Sequence, residues 1–173
     1  MNPTKLFVVG TDHRLQQTVS EVNGDWKQRT GGNKYRRCMT HFLSSMGAKA
    51  ICEEAHAQQE KVAPTICSIL AKQFDVPWIC IGDDSVPIPD LRFIDFTTIP
   101  PEPIVGPCPL GLNRAREDHM RKLLEQSLID YGVVLAVVGI MHAGVLACRF
   151  EQQGTDVELF QMSTGLVMDE SQT

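Results

Sequence analysis

The sequence predicts a single-domain α/β protein with a mainly parallel sheet of about five strands, helices on both faces and a proline-rich excursion near the carboxyl edge of the strands. Three observations predict it. Short apolar runs alternate with segments of helical periodicity along the chain. The runs at residues 5–9 (KLFVV, after its leading Lys5) and 133–138 (VVLAVV) are continuously apolar rather than alternating, as strands covered on both faces are. The length of 173 residues suits one domain with a full core. The domain is expected over residues 1–165, with a polar tail at 166–173.

Each element follows in order. Residues 5–9 read as a buried strand ending in Gly10-Thr11-Asp12-His13. Residues 14–34 are polar and carry Asn23-Gly24 and Gly31-Gly32, so a loop with room for a short helix is expected. Residues 35–46 place Met39, Phe42, Leu43 and Met46 at helical spacing, with Gly47 as the stop. Residues 48–52 form a second strand, followed by Glu53 and Glu54. Residues 62–74 form a helix with Ile66, Ile69, Leu70 and Phe74 inward. Residues 76–81 form a third strand, followed by Gly82, Asp83 and Asp84.

Residues 85–111 hold most of the ten prolines, so neither a regular helix nor a central strand fits there. A lid-like surface excursion is expected. Residues 112–131 form the longest helix, with Met120, Leu123, Leu124 and Leu128 inward and Gly132 at its end. Residues 133–138 form the fourth strand, and 142–153 a helix closed by Gly154. Residues 156–162 (DVELFQM) alternate, as an edge strand does.

Composition bounds the function. The hydrophobic fraction is 43% and the charged fraction 21%, ordinary for a globular protein. The net charge is −5 with no large basic block, which disfavours nucleic acid as a partner. No apolar run is long enough to span a bilayer, and the N-terminus lacks a signal-peptide pattern. A cytoplasmic protein with no membrane partner is therefore expected; an oligomer is compatible with the sequence. The six cysteines form no CxxC pair, and Cys52, Cys67, Cys80 and Cys148 sit in apolar surroundings. They are expected as reduced core thiols.

In an open parallel sheet, ligands bind beyond the carboxyl ends of the strands. Four strands deliver titratable residues to that edge: Asp12 and His13, Glu53 and Glu54, Asp83 and Asp84, and His142. Asp83 and Asp84 serve equally well as turn or cap residues. The two histidines share a frame, Gly10-Thr-Asp-His13 and Gly139-Ile-Met-His142, in which each glycine is expected to turn the chain tightly at a strand end. His41 and His119 read as helix-surface residues, and His56 as a neighbour of the glutamate pair. Arg114 and Arg116 open the long helix, where a guanidinium makes an anion site. Glu117 and Asp118 beside them read as ordinary acidic partners of a helix N-terminus.

These residues resemble the TraB/Tiki-like superfamily. The resemblance rests on Gly-Thr-x-His after the first strand, the strand-end Glu53, Arg116 with Met120 one turn on, and the final Val-Val-Gly-x-x-His142. It covers about residues 5–13, 48–54 and 114–146, at the level of motifs. The group includes Tiki-type proteases, TraB-type pheromone-shutdown proteins, erythromycin-esterase-like hydrolases and haem-binding ChaN-like proteins. This chain is shorter than typical members, and residues 85–111 match nothing in the pattern. The resemblance implies a hydrolase with His13, Glu53, Arg116 and His142 as catalytic residues.

Three functions are weighed. In a hydrolase acting on a small molecule or peptide, His13, Glu53 and His142 would hold a divalent metal ion that acidifies a bound water, with Arg116 stabilising the oxyanion. A metal-free variant uses one histidine as general base. Asp12, Glu54, Asp83 and Arg114 would line the binding site. In a binding protein of the same fold, a histidine would ligate haem, or Arg116 would hold an anion or nucleotide. In an interaction module, the proline-rich segment would present extended backbone.

Overall fold

A computed structural model describes residues 4–16, 18–22, 25–28, 32–55, 64–82 and 111–162. Its elements, in chain order, are β1 (Lys5–Thr11), α1 (His13–Gln16), β2 (Thr18–Val22), β3 (Asp25–Gln28), α2 (Gly32–Ser44), β4 (Ala50–Glu53), α3 (Ile66–Phe74), β5 (Trp78–Cys80), α4 (Gly111–Tyr131), β6 (Val133–Gly139), α5 (Ile140–Gln152) and β7 (Asp156–Met162). Five strands form one sheet in the order β5-β4-β6-β1-β7, and every pairing in it is parallel.

The apolar runs occupy the places their composition demands. β1 and β6 are neighbours inside the sheet, paired from Lys5↔Val133 to Thr11↔Gly139. Their successive side chains point to opposite layers. Phe7, Val9, Leu135 and Val137 pack with Tyr35, Met39 and Phe42 of α2 and with Ile66 and Leu70 of α3. Leu6, Val8, Val134, Ala136 and Val138 pack with Met120 and Leu124 of α4 and with Ala143, Leu146 and Phe150 of α5. Burying each large apolar side chain contributes about 1.5–3 kcal/mol. The alternating segment at Asp156–Met162 is half-buried at one edge of the sheet, beside β1.

Helix ends follow local chemistry. Gly132 closes α4 at φ +76°, a conformation in which a Cβ would be strained, and its N–H donates to Leu128 O at 2.9 Å. The expected helix at 62–74 begins instead at Ile66, because the Thr65 hydroxyl accepts the Ser68 N–H at 3.0 Å and caps it.

Two expectations are corrected. Residues 14–34 are not simply a loop: β2 and β3 pair antiparallel, with Val22 opposite Asp25, and α2 already starts at Gly32. A two-residue Asn-Gly spacing favours such a hairpin, but its strands are too polar to show an apolar period. Gly10 is not a turn residue. β1 runs through it to Thr11, and Gly10 pairs with Val138 and Gln161. A Cβ there would lie 2.7 Å from the Ala143 Cβ of α5, so close helix approach is what requires glycine. Gly10→Val is expected to lower stability by about 1–3 kcal/mol through overpacking. Urea denaturation measures this, and an unchanged midpoint would contradict the packing.

No helix among the described residues is long and apolar enough to cross a membrane. The expected lid lies outside the described residues up to Gly111, where α4 begins, and so does the tail.

Candidate active site

The strand order places the site. β4 feeds α3 on one face of the sheet, whereas its neighbour β6 feeds α5 on the other. Their chains part at the carboxyl edge, the place where open α/β sheets bind ligands.

Glu54 sits at that parting. It follows β4 directly, and its N–H donates to Val137 O at 2.8 Å, extending the ladder by one residue. Its carboxylate is buried. Oε2 accepts the Gly139 N–H at 2.7 Å, where β6 enters α5. Oε1 accepts from Arg116 Nη2 of α4 at 2.8 Å. His142 lies in the first turn of α5, is buried, and places Nε2 at 3.6 Å from the same Oε1. On the other side of the ring, Nδ1 is 3.2 Å from Glu117 Oε1. Arg149, farther along α5, places Nη2 at 3.7 Å from Glu117 Oε2, and its Nη1 donates to Asp118 Oδ1 at 2.8 Å.

The electrostatics are balanced. Two buried carboxylates, Glu54 and Glu117, each face a guanidinium, and such pairing offsets the cost of burying charge. The imidazole stands between the carboxylates. In the neutral tautomer that donates Nδ1–H to Glu117, the Nε2 lone pair lies on the Glu54–Arg116 side. Arg116 Nε is buried and without a hydrogen-bond partner among the described residues. A leftover buried donor of this kind is costly unless something accepts from it.

The expected site residues divide. Glu54, Arg116 and His142 come together. Glu53 does not join them, because successive residues of a strand point to opposite faces. Its Oε2 accepts from the Thr65 hydroxyl at 2.5 Å and from Trp78 Nε1 at 2.7 Å, in the α2–α3 layer. Of the expected metal ligands, Glu53 lies in the α2–α3 layer and His142 on the side of α4 and α5, and the His13 side chain lies outside the described residues. Among the described residues no three of His, Cys, Asp and Glu are placed to hold a metal ion. Asp12 links β1 to α1, with its carbonyl accepting the Leu15 N–H at 2.8 Å. Arg114 is exposed on α4. His13 opens α1, but its side chain lies outside the described part, as do Asp83, Asp84 and His56.

Glu117 is the member of this buried cluster that reading acidic side chains as helix-dipole partners misses. The signal was present. Glu117 shares a buried stripe with Met120, Leu124 and Leu128, spaced three, four and four residues apart. A carboxylate on the apolar face of an amphipathic helix needs a partner inside.

Burial holds two of the described cysteines, Cys52 and Cys67, in the thiol form. Burial pushes the Cys52 thiol up to about 11 and raises Cys67 well above the usual thiol range. Both are free and buried, whereas Cys38 and Cys148 are half-buried. A thiol reagent at pH 8 is expected to label Cys38 and Cys148 in the native protein, but Cys52 and Cys67 only after unfolding. Mass spectrometry of the labelled peptides checks this, and native labelling of Cys52 would contradict it.

Compared with protein-family models, with curated proteins and with solved structures, the chain matches none.

Proposed function

We propose that this protein is a hydrolase in which His142 activates water as a general base. The observation that carries the reading is the buried imidazole at the sheet edge, held at Nδ1 by Glu117 and opening Nε2 towards Glu54 and Arg116. In this reading Nε2 takes a proton from water as the water oxygen bonds to the carbonyl carbon of an ester or amide. The electron pair moves onto the carbonyl oxygen, where Arg116 stabilises it. The proton on Nε2 then passes to the leaving group as the scissile bond breaks. Glu117 orients the ring and offsets the imidazolium charge. Glu54 positions Arg116. The motif resemblance gave the acidic role to Glu53; in this reading Glu54 takes it, because Glu54 is the carboxylate beside Arg116 and His142.

The test is a panel of ester, peptide and phosphoester substrates assayed with and without chelator. Turnover that survives chelator and is lost in His142→Ala supports the reading. Turnover abolished by chelator, or unchanged in His142→Ala, overturns it.

A further inference from the structure

A groove lies on the outer side of α4 and α5. It is wide open, encloses about 300 Å³ and is lined by Arg114, Asp118 and Arg121 of α4, by Arg149 and Gln152 of α5, and by Gln153 just beyond that helix. The spacing of four and three residues puts the α4 members on one helix face. Every lining residue is polar, and three of the six are arginines. Guanidinium forks are donor-only groups, so the groove calls for a ligand rich in acceptor oxygens. Its volume is at the small end of ligand sites.

Some of this donor capacity is used within the protein. Arg121 pairs with Glu125 through Nη1, and Gln153 Nε2 donates to Glu125 Oε1 at 3.1 Å. Arg149 donates to Asp118 through Nη1. These are pairs between partly exposed side chains, a weak and salt-screened class. A phosphate oxyanion offers each fork a bidentate, doubly charge-assisted contact instead. A single carboxylate would engage one fork, whereas linked phosphates supply oxygens for three. The net charge of −5 argues for a small anion rather than a long polyanion.

We propose that this groove binds a small phosphate-bearing anion and is coupled to His142 through Arg149. Arg149 is shared: Nη1 faces Asp118 in the groove, while Nη2 lies 3.7 Å from Glu117 Oε2, and Glu117 Oε1 lies 3.2 Å from His142 Nδ1. An anion on Arg149 competes with both carboxylates. It loosens the hold of Arg149 on Glu117, and the change reaches the imidazole through that carboxylate. The coupling is reciprocal by linkage.

Pyrophosphate titrated into the full chain at fixed ionic strength tests both halves. Calorimetry is expected to show saturable binding, weakened about tenfold in Arg114→Gln and in Arg121→Gln. The His142 ring resonances are expected to move with the same midpoint in the wild type and to stay still in Arg149→Gln. No saturable binding at millimolar pyrophosphate, or equal affinity in the Arg114→Gln/Arg121→Gln double variant, overturns the site. Saturable binding with an unmoved His142 resonance overturns the coupling. His142→Ala is expected to bind pyrophosphate still, so the site stands or falls separately from hydrolysis.

Discussion

Glu54→Ala is expected to destabilise the protein by about 3 kcal/mol, at the lower end of the cost of breaking a buried ion pair. The lower end applies because the Arg116 side chain keeps 12% of its exposure, whereas Glu54 keeps 3%. Three losses coincide. Arg116 is left as an uncompensated charge, the Gly139 N–H loses its acceptor at the start of α5, and His142 loses the neighbour of its Nε2. Chemical denaturation of Glu54→Ala, Arg116→Ala and the double variant gives the coupling between them. The double variant is expected to be more stable than the sum of the single losses implies. Strict additivity would show that the two side chains do not share one buried interaction. Replacing the pair together, as Glu54→Leu with Arg116→Met, should recover stability while leaving the proposed hydrolysis without its guanidinium.

His142→Ala carries the largest expected effect on activity, a loss of about 10²- to 10⁴-fold in kcat, the usual worth of a positioned general base. Glu117→Gln is the more discriminating change. It keeps the shape of the side chain but can turn an amide N–H towards Nδ1, favouring the tautomer whose Nε2 carries the proton. About a hundredfold loss is expected there, with the fold retained. Glu53→Gln is the control, since Glu53 bonds Thr65 and Trp78 in the opposite layer. It is expected to cost stability but not turnover per folded molecule. Activity lost with Glu53 and kept with Glu117 would reverse the assignment of the two carboxylates.

The sheet was legible because KLFVV and VVLAVV have the composition of strands buried on both faces, and the central pair β1 and β6 bears them. The edge strand Asp156–Met162 was legible from its alternation. His142 and Arg116 could be singled out because a histidine after a buried strand and an arginine near a helix start each break a local rule. The choice between Glu53 and Glu54 could not be made from the sequence. It depends on which face α4 and α5 cover, and the strand order β5-β4-β6-β1-β7 decides that. Strand order is a long-range property, and one register step moves a side chain to the other face. The β2–β3 hairpin was hidden for the opposite reason. Its residues Thr18–Val22 and Asp25–Gln28 pair locally but carry few apolar side chains.

The contact between Gly10 and Ala143 ties the two GxxH frames together. Ala143 is the residue after His142, and Gly10 lets α5 settle onto β1 with no side chain between them. That close seat lets the first turn of α5, which carries the adjoining imidazole, lie directly against β1. The glycine of the first frame thus acts as a bearing surface for the histidine of the second.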